Sequence, residues 1–303
     1  MKNVLVVGSS NSDMIIRVPH IPRPGETILG GAFAMAAGGK GANQAVAAAR
    51  AGGRVTFVAR VGDDHFGRQA LEGFVRDGID TRLVLATPGA ASGIALITVD
   101  ERGENSISVA SGANALLSVA DVEAAADAFA AADIVLLQLE SPLPAVEAAV
   151  RMAGERGVPV SLNPAPARPL DDGLLRGVSV LTPNEHEAAT LAGIEVESEH
   201  DMREAAARIR ARGPRAVVIT LGERGVYVSS EGSEGLVPAF KVEPVDTTAA
   251  GDVFNGALAV ALAEKRPLDD ALRFAQAAAA ISVTRPGAQP SAPTRAEILA
   301  FLK

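Results

Sequence analysis

The sequence predicts an α/β fold: a central, mainly parallel sheet with helices on both faces, and a small β-sheet lid inserted into one domain spanning residues 1–303. Three observations lead there. From residue 55 onward, short apolar strand patterns alternate with helical ones, as in a sheet whose strands are joined by crossover helices. Polar residues collect at the carboxyl ends of the strands, namely Asn11, Asp13, Glu140, Asn163, Asn184 with Glu187, and Thr220 with Gly222, where such sheets hold their ligands. Two stretches, about 13–36 and 92–110, depart from the pattern and read as short strands joined by prolines and turns, an excursion that forms a β-layer over a site.

The first strand is Val4–Val7, apolar throughout as expected when both faces are buried, and it delivers Asn11 and Asp13 just past its end. These two are candidate ligands or ordinary turn residues. A dinucleotide fingerprint would need G-x-G-x-x-G here, and Gly8-Ser9-Ser10-Asn11-Ser12-Asp13 does not supply it. The first lid stretch takes in Met14–Val18, Glu26–Leu29 and Ala32–Met35; the second takes in Ile94–Val99 and Asn105–Val109. Such a layer has an apolar face with little to cover it, so it closes on the site or pairs with a second copy.

Gly38-Gly39-Lys40-Gly41-Ala42-Asn43-Gln44 then opens a helix reaching about Arg50. Its glycines permit close backbone approach, and Lys40 and Asn43 supply donors suited to sugar hydroxyls. It is not a Walker A loop, because Gly41 follows Lys40 and the spacing is wrong. Further strands are expected at 55–61, 134–139, 158–162, 178–182, 216–221, 225–229 and 240–245. Glu140 ends one of them as an acceptor for a polyol or as a solvated carboxylate. Asn184 and Glu187 either form a capping box or organise Mg²⁺ and phosphate through water. The Thr220–Gly225 run is a hairpin or a nucleotide wall. Leu268–Val283 is an Ala-rich helix, and carbonyls at its end, with Ser291 and Asp246, could surround a monovalent cation or simply stop the helix.

The run Asp246-Thr247-Thr248-Ala249-Ala250-Gly251-Asp252 leads into an apolar helix. Its first N–H groups lack helical partners, and the small residues leave room for an anion. Asp252 in that first turn is either a dipole-complementing acid or a group acting on what the N–H groups hold. The helix N-terminus is expected to lower its pKa.

Bulk properties exclude several functions. The chain contains no Cys, so a thiol nucleophile, a zinc ribbon and a redox pair are ruled out. A net charge of −8 argues against a nucleic-acid partner. His20, His65, His186 and His200 follow no ligand spacing. No stretch approaches a membrane span, and the first apolar run is too short for a signal segment, so the expectation is a cytoplasmic protein without a membrane partner.

Asn11-Ser12-Asp13, Gly38 to Ala45, Leu139-Glu140, Asn163-Pro164-Ala165-Pro166-Ala167, Asn184-Glu185-His186-Glu187 and Ala249-Ala250-Gly251-Asp252 occur in order. Together they resemble the phosphofructokinase-B-type carbohydrate kinases and, within them, the ribokinase group, from about residue 4 to residue 302. The resemblance implies a ribokinase-like fold and ATP-dependent phosphorylation of D-ribose at its 5-hydroxyl; the alternatives are a kinase for another sugar or nucleoside, such as deoxyribose or fructose, and, more distantly, a non-catalytic sugar-binding regulator. It implies that Asn11, Asp13, Gly39, Lys40, Asn43 and Glu140 hold the sugar. Asp252 takes the proton, and Ala249, Ala250, Gly251 and Asp252 build the anion hole. Asn184, Glu187, Thr220, Gly222, Gly225, Gly251 and Gln276 line the nucleotide side, with Mg²⁺. Asp246, Thr248, Ser282, Arg285, Gly287 and Ser291 match a K⁺ shell, in which Thr248, Ser282, Arg285 and Gly287 contribute carbonyl oxygens. It further implies a homodimer through the lid, with Val109 reaching the partner's sugar site. Two positions depart from the family pattern: Gln276 stands where His or Asn is common, and Ser282 replaces Ala.

Overall fold

The computed structural model describes residues 1–29 and 31–303; Gly30, inside the first lid stretch, lies outside the described residues. The strands in chain order are β1 Asn3–Val7, β2 Asn11–Arg17, β3 Phe33–Gly38, β4 Arg54–Gly62, β5 Val84–Thr87, β6 Gly93–Val99, β7 Asn105–Ala110, β8 Ile134–Leu137, β9 Val160–Leu162, β10 Val180–Leu181, β11 Ala216–Thr220, β12 Val226–Ser229 and β13 Glu234–Val237. The larger sheet runs β13-β12-β11-β10-β9-β8-β1-β4-β5. It is parallel from β5 to β11, while β12 and β13 add an antiparallel edge.

Alternate residues of each central strand enter opposite cores, because side chains alternate across a sheet. Val4 and Val6 of β1 and Ile134 and Leu136 of β8 pack with the helices Lys40–Arg50, Ala250–Ala263 and Leu268–Ser282. Leu5, Val7, Val135 and Leu137 face the other way, toward Leu143–Glu155, Glu185–Ala192 and Glu199–Ala211. Every parallel strand therefore ends on the same side, and the polar residues that follow β1, β8, β9 and β10 meet there.

The second sheet has the order β3-β2-β6-β7. Its register places Ile16, Phe33, Met35 and Leu96 on one face, all exposed, and Asp13, Ala95 and Val109 on the other. The lid stretches thus form one sheet, although Glu26–Leu29 is not a strand in it. A second correction concerns 240–245, expected as a strand and found as irregular chain. The edge strand is instead β13, which pairs back on β12 across the Ser230–Ser233 turn. Pro238 directly follows β13, and Pro244 lies within the expected run; neither can donate to a ladder. Phe240 packs edge-on against Phe301 at 5.1 Å, with the Arg273 guanidinium 3.8 Å from its ring centre, so its burial reflects side-chain packing rather than a strand. The short β5, alongside β4, was not expected from the sequence.

Candidate active site

The Lys40–Arg50 helix starts where β3 hands over to the main sheet, and glycines make that junction possible. Gly39 has φ +88°, and a Cβ there would lie 2.6 Å from the backbone nitrogen of Asn11. A Cβ at Gly38 would lie 2.2 Å from the Asp13 carboxylate. The first turn of the helix is thus pressed against β2, bringing Asn11, Asp13, Gly39, Lys40 and Asn43 together. Glu140, just after β8, joins them by accepting from the Lys40 backbone N–H at 2.9 Å and the Ser9 hydroxyl at 2.6 Å. Asn11 is held by Asn114, whose Nδ2 donates to Asn11 Oδ1 at 2.7 Å.

Asp252 reaches the same cluster from the first turn of the Ala250–Ala263 helix. The two helices can approach this closely because Gly256 has no side chain; a Cβ there would meet the Gln44 carbonyl oxygen at 2.6 Å. Asp252 accepts from Asn43 Nδ2 and Gln44 Nε2, each at 3.0 Å. The expected lowering of its pKa does not hold. Burial raises it, and Glu140 adds to the rise, while Lys40 and the Asn43 and Gln44 donors only partly offset it. Asp13 is pushed up to about 6 by burial and by the Glu140 and Asp252 charges. Burial pushes Lys40 down, but Asp252, Glu140 and Glu187 outweigh it and hold its ammonium above the ordinary value. Three carboxylates and one ammonium therefore share a half-dry cleft.

The stretch expected to hold an anion is strained and open. Ala249 sits in the left-handed region at φ 59°, unusual for a residue with a Cβ. Ala250 N–H donates to the Thr247 carbonyl at 3.2 Å, so it is engaged in the turn and not free as expected. Gly251 and Asp252 occupy first-turn positions, where N–H groups have no intrahelical partner. A Cβ at Gly251 would meet nothing within 4 Å.

Among the residues expected to meet a nucleotide, Asn184 and Glu187 do form a capping box. Asn184 Oδ1 accepts from the Glu187 N–H at 2.8 Å, and Glu187 Oε2 accepts from the Asn184 N–H at 2.9 Å. Glu187 is buried, which raises its pKa. Thr220 bridges to Asn184, and Gly222 and Gly225 shape the turn between β11 and β12. Gln276 is turned into the protein: its Nε2 donates to the Val237 carbonyl at 2.9 Å, and its Oε1 accepts from Arg273 at 3.3 Å. The same Val237 oxygen would lie 2.1 Å from a Cβ at Gly225, so Gly225 and Gln276 converge on one point of β13.

Several of the residues expected around a monovalent cation are also linked. The Asp246 carboxylate accepts from the Thr248 N–H at 2.9 Å and the Gly287 N–H at 2.8 Å. Burial opposes its ionisation, but the Thr248 and Gly287 hydrogen bonds outweigh that and hold its pKa low. Ser282 and Arg285 lie at the end of the preceding helix and in the turn after it, and the buried Ser291 hydroxyl donates to the Ala288 carbonyl at 2.7 Å. Among the described residues, no three His, Cys, Asp or Glu side chains converge as a metal site, and no helix is long and apolar enough to cross a membrane.

A family model described as pfkB family carbohydrate kinase matches residues 1–295. The chain belongs to this family. A ribokinase of Haemophilus influenzae is 47% identical over 302 residues, covering 100% of this chain and 99% of that protein. A ribokinase of Bacillus subtilis is 43% identical, over 98% of each chain. Among solved structures, an Arabidopsis thaliana ribokinase complexed with ribose and ATP is similar at TM-score 0.91 and 34% identity, covering 100% of this chain and 98% of that one.

The family's motif positions are legible as sequence, but their supports are not. Ser9, Asn114, Gln138 and Thr182 hold the site from behind, and none carries a local signal beyond lying near a strand end. Their contacts join residues far apart in the chain.

Proposed function

We propose that this protein transfers the γ-phosphoryl group of ATP to the 5-hydroxyl of D-ribose, giving ribose 5-phosphate and ADP. The observation that carries the reading is a buried carboxylate, Asp252, placed between a sugar-type cluster of donors and acceptors and the unpartnered N–H groups of a helix start. Asn11, Asp13, Gly39, Lys40, Asn43 and Glu140 bind the ribose hydroxyls. Asp252 receives the hydroxyl proton as the new O–P bond forms and the bond to the β-phosphate oxygen breaks. Its raised pKa brings it toward the operating range of a general base. In a loose transition state, positioning and charge stabilisation do most of the work; the Gly251 and Asp252 N–H groups stabilise the transferring phosphoryl, with Ala249 and Ala250 shaping that turn. Asn184, Glu187, Thr220, Gly222 and Gly225 line the nucleotide side, with Gln276 anchored to the Val237 carbonyl that Gly225 also approaches.

Mg²⁺ neutralises phosphate charge when bound, and the buried Glu187 with Asn184 suits holding it through water. K⁺ would be held by Asp246, Ser291 and the carbonyls of Thr248, Ser282, Arg285 and Gly287. Asp246 already ties the 248 and 287 segments together, three residues before the anion turn begins. The exposed lid face of Ile16, Phe33, Met35 and Leu96 supports a homodimer, and the cytoplasm is the proposed location. The whole chain is proposed to act as one kinase domain with the lid inserted.

The test is ATP turnover with a panel of ribose, deoxyribose, fructose and nucleosides, with and without K⁺. Ribose should lead by kcat/KM; a higher value for another sugar replaces ribose with that sugar, and no sugar-dependent turnover refutes the kinase.

A further inference from the structure

On the Asp252 oxygen that Asn43 does not engage, a chain of buried amides begins that the phosphoryl-transfer reading does not use. Gln44 is fully buried. Its Nε2 is shared between Asp252 Oδ1 at 3.0 Å and Asn163 Oδ1 at 3.2 Å, and its Oε1 accepts from Gln138 Nε2 at 2.6 Å. Asn163 in turn donates from Nδ2 to the Thr182 carbonyl at 3.0 Å. The Thr182 hydroxyl donates to Asn255 Oδ1 at 2.6 Å, and Asn255 Nδ2 donates to the Gly251 carbonyl at 2.8 Å.

The polarity of this chain is set from both ends. A backbone carbonyl only accepts, so Asn163 must turn its NH₂ to Thr182 and its oxygen to Gln44. Gln44 must then present its own NH₂ to Asn163, and the same NH₂ reaches Asp252. Gln138 meets the remaining Gln44 oxygen with a donor. Reversing the Gln44 amide would set oxygen against oxygen at Asn163 and at the carboxylate together. The network also closes on itself, since its far end holds the carbonyl of Gly251, in the anion turn.

We infer that Gln44 is a positioning residue for the general base. Locked by Gln138 and Asn163, it holds Asp252 in one orientation and favours its ionised form by donating to Oδ1. The other groups bearing on Asp252 are Lys40 and Asn43 from the same helix start, Glu140 after β8, Asp13 from β2 and Glu187 from the Glu185–Ala192 helix. Asn43, the other side-chain donor to the carboxylate, belongs to the proposed sugar cluster, whereas Gln44 donates to the other oxygen and is fully buried. The role rests on the proposed function, in which Asp252 takes the sugar proton.

Gln44→Met keeps the length of the side chain and removes its donor. A lost hydrogen bond to a buried charge should move the acid limb of the kcat profile up by about one to two pH units, with KM for the sugar within about twofold of wild type. Gln138→Leu, which does not touch Asp252, should move the limb in the same direction by less. A substrate-free measurement separates failure of this inference from failure of the kinase reading. The stability difference between the parent and its Asp252→Asn variant, followed across pH, reports the Asp252 titration, and its midpoint should lie about one to two units higher in a Gln44→Met background. An unmoved midpoint together with an unmoved acid limb overturns the inference even if kcat falls; so does a rise in KM with unchanged kcat. If Gln44→Met does not fold, the Gln138→Leu profile decides, and an unshifted limb there refutes the proposal.

Discussion

Replacing Asp13 with Asn should make the protein more stable while spoiling the proposed sugar site. The Asp13 carboxylate is half-buried, no described protein group donates a hydrogen bond to it, and it shares the cleft with Glu140 and Asp252. Its pKa is pushed from 3.8 up to about 6. At 1.36 kcal/mol per unit, holding this group ionised costs the folded state about 3 kcal/mol. The folded protein holds this proton more tightly than the unfolded chain does. The cost is therefore absent below about pH 4, grows as pH rises through the interval, and is complete above about pH 6. Asn has nearly the same shape and no charge. Urea unfolding of the two proteins should show a gain of about 2–3 kcal/mol for Asp13→Asn near pH 8, shrinking toward zero near pH 4. Ribose affinity, measured by calorimetry, should fall by about ten- to a hundredfold, the worth of charge-assisted hydrogen bonds to the sugar. A variant less stable than wild type near pH 8, or one whose gain does not vary with pH, would refute the reasoning.

Other outcomes follow from the same geometry. Asp252→Asn should lower kcat by about 10²–10⁴ with ribose binding still measurable; near-normal turnover removes Asp252 from its role. Gly251→Ala should leave the thermal midpoint within a degree or two, because the added methyl meets no protein atom, yet cut kcat/KM for ATP at least about tenfold by occupying the phosphate's approach; unchanged kinetics would place the phosphoryl elsewhere. Exchanging K⁺ for Na⁺ or Tris should depress kcat in the wild type and have little effect in Asp246→Ala; equal rates in all salts would exclude a cation that orders the turn. Phe33→Glu on the exposed lid face should shift sedimentation from dimer to monomer, and a wild-type protein already monomeric at micromolar concentration would end the dimer proposal.

Much of this molecule is determined by local sequence. Val4–Val7 and Ile134–Leu137 are apolar enough to be buried on both faces, the glycines at 38, 39 and 41 mark where backbones meet, and the Asp246–Asp252 run announces a helix start. These follow from periodicity, turn chemistry and side-chain size, which a short window carries. The run 240–245 misled because Phe240 is covered by Phe301 and Arg273, more than thirty residues away, rather than by a ladder, while Val245 is exposed. The protonation of Asp252 turned on tertiary structure for the same kind of reason. Read alone, the helix N-terminus lowers the Asp252 pKa; burial against the Lys40–Arg50 helix, with Glu140 nearby, raises it. Asn43 and Gln44 are neighbours on one helix and still reach different oxygens of the same carboxylate, because the two helices cross closely enough there for both side chains to span the gap. Residue types and their order state which groups are present. The dielectric around those groups, and their partners more than a hundred residues distant, exist only once the chain has closed.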